Sequence, residues 1–355
     1  MFITDICSLK KYKGEVGIEI EVEGEDLPPE GPLGWRKEED GSLRGESGEF
    51  VLERPCSRNS VGTFLSRIYD AYEENESYIV ASPRQSVHIH INVQDVPADK
   101  IFNYILLFLM FEPMLVRYCG EGRSNNLFCL RSSDAEYLLT SLEKAAASGS
   151  LMELGSDALR YSAINVNALF KYGSLEFRSM RGATDQKTLE DWVGMLLKLK
   201  DFAISIENPK ELLAMFRSMD TFSFAQTVFG EYTHILYNSE SQEEMIESAR
   251  SVKMIAYMGD WDKLRGDRQP PSYAAAFSTA VIDTMGASIY RDIRRQRESL
   301  EGIQSIEQML EEAAESEEEE VRMEERLGRE LDDEEVQDRV ANLEIIDREE
   351  GEVQW

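Results

Sequence analysis

The sequence predicts an α+β protein in which an antiparallel sheet gives one face to helices and leaves the other open. Three observations lead there. The stretches "VGIEIEVEGE" and "SVHIHINV" alternate apolar and polar residues with the period of a half-buried strand. Further short strand-like segments, separated by turn signals and helical stripes, fill the first half of the chain. From Asp185 onward only helical periodicity is found. This order suits a sheet packed on helices better than repeated βαβ units.

The elements follow in order. Residues 16–25 place Val16, Ile18, Ile20 and Val22 on one strand face and Glu19, Glu21 and Glu23 on the other, with Gly17 between. "EDLPPEGPLG" is a loop. Residues 35–54 read as strands around a loop, with turn signals at Asp40-Gly41 and between Gly45 and Gly48; Glu49, Val51 and Glu53 share a face. Residues 58–74 carry a helical stripe, and "YIVA" is a short strand. Residues 86–93 alternate throughout, Val87, Ile89, Ile91 and Val93 against His88, His90 and Asn92. Helices are expected over about 98–118 and 133–148. "YSAINVNAL" and "GSLEFRSM" read as a hairpin turning at "KYG", with Glu176 and Arg178 on one face. Residues 185–206, 209–218, 241–258 and 273–299 read as helices.

Composition narrows the function. A net charge of -30 argues against nucleic acid or an anionic membrane as a partner. More than half of that charge lies in residues 301–355, where 22 acidic residues face five arginines. This segment reads as a disordered or loosely helical tail that solubilises the chain or engages a protein partner. The four cysteines form no CxxC pair, which suits a reducing cytosol, and "MFITDICSLKKYKGE" lacks the apolar core of a secretory signal, so a cytoplasmic location is expected. "IFNYILLFLMFEPMLVRYCG" is interrupted by Asn103, Glu112, Pro113 and Arg117 and reads as a buried helix, too short and broken to span a bilayer.

The polar strand faces carry the chemistry. Same-face carboxylates recur every ~6.5–7 Å along a strand. At that spacing they repel by about 2–2.5 kcal/mol at an effective dielectric of ~20. One such row is equally the wet face of an ordinary antiparallel strand. Three strands that each present metal- or phosphate-competent groups opposite an apolar face suggest a shared cleft: Glu19 and Glu21, His88 and His90, Glu176 and Arg178, with Glu49 from a fourth segment. Carboxylates with an imidazole suit Mg²⁺ or Mn²⁺, and arginine suits a phosphate. Together they are the parts of a phosphoryl-transfer site. No P-loop, helical H-E-x-x-H or G-x-S-x-G motif is present, and His234 reads as structural.

In this order "GIEIEVEG", "DGSLRGESGEFVLERP", "SVHIHINV" and "YSAINVNALFKYGSLEFRSMRGATD" resemble the amidoligase family, whose catalytic fold is similar to that of glutamine synthetase and glutamate–cysteine ligase. The likeness covers residues 14–205. It implies a catalytic domain over 1–300, with a helical part at 206–300, followed by the acidic tail 301–355. It also implies a glutamine-synthetase-like sheet and ATP-dependent joining of a carboxylate to an amine through an acyl phosphate. The substrates would be small-molecule, peptide or protein carboxylates and amines.

By the same resemblance Glu19, Glu21, Glu49, His88 and Glu176 would hold Mg²⁺ or Mn²⁺, with His88 preferred to His90. His90, Asp40, Asn165 and Arg178 would contact nucleotide or substrate. Arg178, and as a second candidate Arg181, would stabilise the transferred phosphate. Glu23 has no assigned role and reads as solvent-exposed. Loops at 24–35, 120–133 and 259–272 are candidate lids that would exclude water. Two alternatives keep part of this reading: phosphate transfer to a nitrogen acceptor, or a non-catalytic interaction module with an acidic partner-binding tail.

Overall fold

A seven-stranded antiparallel sheet organises the chain in the computed structural model, which describes residues 2–7, 9–120, 122–124 and 126–265. The expected helix at 273–299, the acidic tail and the end of the 259–272 loop lie outside the described residues. The described residues fall within one compact unit.

The strands are β1 (Val16–Glu25), β2 (Trp35–Glu38), β3 (Ser47–Leu52), β4 (Tyr78–Val80), β5 (Ser86–Asn92), β6 (Ile164–Asn165) and β7 (Ser174–Arg181). Their order is β2-β3-β1-β5-β7-β6, with β4 paired to the far end of β1. The long alternating strands take the centre. Their apolar face is closed: Ile18, Ile20, Ile89, Ile91 and Phe177 are buried in the core.

Helices cover that face. They are α1 (Ile3–Ile6), α2 (Val61–Glu74), α3 (Ala98–Cys119), α4 (Glu136–Ser148), α5 (Ala168–Lys171), α6 (Gln186–Ser205), α7 (Pro209–Ser218), α8 (Thr221–Phe229), α9 (Thr233–Leu236), α10 (Ser241–Met258) and α11 (Trp261–Arg265). The short α5 is the exception and borders the open side. α3 and α6 pack against β7 and β5, α2 flanks α6, and α7, α8 and α10 close the helical layer around them. Phe177 of β7 meets Phe108 and Tyr104 of α3 at 5.1 and 5.5 Å between ring centroids. Asp185, Asn208 and Asp220 cap α6, α7 and α8 with their side chains, satisfying backbone amides that a bare helix end leaves open.

α3 corrects the length expected for its apolar run. It spans 22 residues and is long and apolar enough to cross a membrane. Nineteen of the 22 are buried in the protein, as for a helix enclosed by other elements on all sides. Its polar residues have protein partners: Asn103 donates to the Ala203 and Ile206 carbonyls, and Glu112 accepts from Ser132.

The expected hairpin at 161–180 is also corrected. β6 is two residues long, and α5 takes the last two residues of the predicted strand. Asn165 makes the difference: its side-chain oxygen accepts from the Asn167 amide at 3.0 Å, turning the backbone out of the strand. Gly173, at φ +70°, then starts β7 from a left-handed conformation open to glycine.

Candidate functional site

Register brings the predicted side chains together on the open face. Glu19 pairs with His88, Glu21 with Glu49, His90 with Glu176, and Glu176 with Asn165 across four successive strand junctions. Gly17 stands opposite His90, where a Cβ would lie only 3.3 Å from the histidine's own. β7 carries one extra residue opposite the Val87–Ile89 stretch of β5. The bulge returns Met180 to the core and leaves Arg178 on the cleft side, beside Glu176.

Arg123 holds that bulge. It is buried, and its guanidinium donates to the carbonyls of Arg178, Ser179, Gln85 and Pro83. It comes from the segment "GEGRSN", whose glycines suggested a loop but whose arginine signalled nothing.

Hydrogen bonds orient the first histidine. Ser86 Oγ donates to Glu21 and lies 2.7 Å from His88 Nε2. With the hydroxyl proton given to Glu21, His88 Nε2 must donate to the serine oxygen. The other nitrogen, Nδ1, faces Glu19 Oε2 at 3.3 Å and Glu176 Oε1 at 3.7 Å. A neutral Nδ1 would point its lone pair at two carboxylates; a proton or a metal ion resolves the conflict.

His90 presents a similar case. Its Nδ1 is 3.0 Å from Ser174 Oγ, while its buried Nε2 has no hydrogen-bond partner although Glu19 Oε1 is 3.3 Å away and Glu176 Oε2 3.9 Å. Asn165 donates to Glu176 Oε2 at 2.7 Å, and Arg178 donates to Glu176 Oε1.

The charges shift one another strongly. Burial opposes ionisation of Glu19, but the neighbouring imidazoles of His88 and His90, each 3.3 Å away, more than offset it and hold the carboxyl well below its usual range. Burial also opposes ionisation of Glu176, and the charges of His90, Arg178 and His88 overcome it. Burial would discharge His90, and Glu19 and Glu176 keep it protonated to higher pH. Glu49 goes the other way: burial and the charges of Glu19 and Glu21 push it up to about 7.

Two triads have ligand atoms close enough to share one ion, Glu19–His90–Glu176 and Glu19–Glu49–His88. Both histidines therefore aim a nitrogen at the acids, and the geometry does not favour His88. The donor set, mostly carboxylate oxygen, fits a hard divalent cation such as Mg²⁺ or Mn²⁺. The partnerless His90 Nε2 is an independent sign of fit.

Glu19, Glu21, His90 and Glu176 line a cavity of about 340 Å³, which Glu49 and His88 do not reach. Asp40, Asn165 and Arg178 line it, as do three cations that the sequence reading missed: Arg84, Arg160 and Lys171. No motif marked them. Arg160 and Lys171 bracket the Asn165 turn, and Arg84 precedes β5 by two residues, so only the fold shows that they face the acids.

Other expectations fall outside the cavity. Arg181 does not line it; its guanidinium donates to the Cys119 carbonyl at 3.2 Å. Among the described residues of the candidate lids, only Phe128 of 120–133 reaches the cavity. Residues 24–35 supply no lining residue, and the described part of 259–272 packs with Trp261 against Phe102, in the helical layer. Glu23 is half-buried and accepts from the Arg44 amide, which corrects its expected exposure. His234 is exposed beside Phe222, among the helices. No protein-family model matches the chain, and no curated protein matches it.

Proposed function

We propose that the chain is an ATP-dependent carboxylate–amine ligase of glutamine-synthetase-like fold, working with Mg²⁺ or Mn²⁺. One observation carries the reading: a single cavity on the open face of an antiparallel sheet is lined by Glu19, Glu21, Asp40 and Glu176 together with Arg84, Arg160, Lys171 and Arg178. Acids alone suit a metal ion, and cations alone suit an anion. Both in one hollow suit a metal-bound polyphosphate.

A divalent ion would be held by Glu19, His90 and Glu176, or by Glu19, Glu49 and His88; it would neutralise and align the phosphates. The chain's own groups do the rest. Arg178, fixed by Glu176 on one side and by the bulge on the other, faces the position where charge grows on the transferred phosphoryl group. Arg84, Arg160 and Lys171 anchor the remaining phosphates. A substrate carboxylate oxygen attacks the γ-phosphorus and ADP leaves. The amine nitrogen then attacks the acyl carbon, phosphate departs, and the amine proton passes to solvent. Phe128 and Tyr172 at the cavity wall limit entry of water, which would otherwise hydrolyse the acyl phosphate.

The test is phosphate release from ATP and Mg²⁺, screened over amino acids, peptides and amines, with mass spectrometry of the products. Amide formation is expected, and Arg178→Ala should lower turnover by about 10²–10³-fold, as for loss of one transition-state donor. A stable phosphorylated nitrogen would select phosphotransfer instead. Failure to bind Mg²⁺ with a non-hydrolysable ATP analogue by calorimetry would point to a non-catalytic module.

A further inference from the structure

The cleft does not stop at the acids. A second cavity, about 200 Å³, shares Glu19, His90 and Tyr172 with the first and extends toward the start of β1, where Tyr12 and Pro55 form its wall. Those two residues also line a third hollow, bordered by Lys10, Lys11, Lys13 and Arg54. Among the described residues none of these four cations has a carboxylate partner; Lys10 lies over the Tyr12 ring at 5.4 Å. Four neighbouring cations with no carboxylate partner among the described residues are unexpected on a chain of net charge -30.

The basic segment is held, not loose. Gln94 accepts from the Tyr12 amide at 2.9 Å and donates to the Lys10 carbonyl at 2.8 Å. Asn92 donates to the carbonyls of Tyr12 and Gly14 at 3.2 and 2.8 Å. Gly14 runs so close to the 54–56 segment that a Cβ would fall 1.9 Å from the Pro55 carbonyl oxygen. Asn92 ends β5, the strand that carries His88 and His90, and Gln94 follows it, so the cation strip is tied to the same strand as the site.

We propose that this basic end of the cleft docks an acidic peptide, so that one ligase substrate is a peptide with several carboxylates around its reacting group rather than a free amino acid. The word substrate rests on the ligase reading above; the docking rests on the cations. Spacing supports a peptide. From Gly14 to Glu19 along β1 is roughly 17 Å at ~3.3 Å per residue. A chain needs about five extended residues to cover that length. The intervening wall mixes Arg36 and Glu53 with apolar Leu52 and Pro55; it lacks the continuous run of cations that a phosphate backbone needs and offers a peptide both polar and apolar contacts.

The test uses the full chain and fluorescein-labelled pentaglutamate, followed by anisotropy without nucleotide. Pentaglutamate should bind at least tenfold more tightly than pentaglutamine or free glutamate, and added salt should weaken it. Lys11→Glu/Lys13→Glu/Arg54→Glu should lose tenfold or more while calorimetric binding of Mg²⁺ with a non-hydrolysable ATP analogue is unchanged, which also reports that the variant is folded. The milder Lys11→Gln/Lys13→Gln should lose less. Equal binding of pentaglutamate and pentaglutamine, or equal binding by the triple variant, would overturn the proposal. So would an oligonucleotide that competes for the same cations more tightly than the peptide. Peptide binding that survives in a chain unable to use ATP supports the docking site and removes the ligase reading alone.

Discussion

Glu112, on helix α3, and Glu176, on strand β7, are buried to a similar degree, with 2% and 5% of their surface exposed. They hold their protons in opposite ways. Glu112 accepts from the Ser132 amide and hydroxyl, yet burial pushes its carboxyl up to about 7. Glu176 is held below the usual range, burial notwithstanding, by His90, Arg178 and His88. A few neutral donors do not keep a buried acid charged; gathered cations do. His88, His90 and Arg178 therefore serve the cleft's own acids and still leave Glu49 raised and His90 Nε2 without a hydrogen bond. That surplus of acid is what a divalent ion would neutralise, whereas α3 needs nothing from outside.

The sharpest break in this comparison lies between adjacent residues. Phe177→Ala should cost about 3–5 kcal/mol in urea unfolding, because it empties the core between β7 and α3. Glu176→Gln, one position earlier, should keep the chain folded and remove turnover. Similar losses of stability in both would mean that the acid is structural.

A pH titration of stability probes the other carboxylate. Glu112 binds its proton more tightly folded, at about 7, than at the reference value of 4.5. Between those values the folded chain carries the extra proton, so stability should fall as pH rises through that window and level off above it. The full shift corresponds to roughly 3 kcal/mol. Glu112→Gln should flatten the slope; an unchanged slope would assign it to other groups.

Metal should act on the cleft alone. Mn²⁺ or Mg²⁺ at a hundredfold excess over its dissociation constant should stabilise the chain by about 2.7 kcal/mol, read as a thermal shift. Glu19→Gln should abolish the shift and Glu112→Gln should preserve it. The smallest effect, about 1 kcal/mol, is expected for Asp185→Ala, which uncaps α6 away from both acids. It sets the scale for a merely local loss.

Much of this arrangement was legible before the fold was known. Period-two alternation located β1 and β5 and assigned Glu19, Glu21, His88 and His90 to the side away from the core. It failed where side chains overrode the pattern. Asn165 bends the backbone after two strand residues, and nothing in "AINVNAL" distinguishes that from a continuing strand. The bulge in β7 breaks the period near Arg178, so no count from Glu176 predicts where Arg181 points. Arg84, Arg160 and Lys171 were invisible for a different reason: each reaches the cavity from a segment without periodicity. Helix starts fared better at α6 and α7, which begin at the expected places behind the caps Asp185 and Asn208, whereas α8, capped by Asp220, was not expected.

The buried guanidinium of Arg123 has a last consequence. Strands can slide past their neighbours, and a one-residue slide of β7 would turn Glu176 inward and Phe177 to water. Arg123 clasps carbonyls from both β7 and the approach to β5, so sliding one past the other would break its bonds to at least one of them. A lysine ammonium, compact and without the planar fork, could not span them. Alignment of the cleft floor thus depends on a latch some fifty positions upstream in the chain.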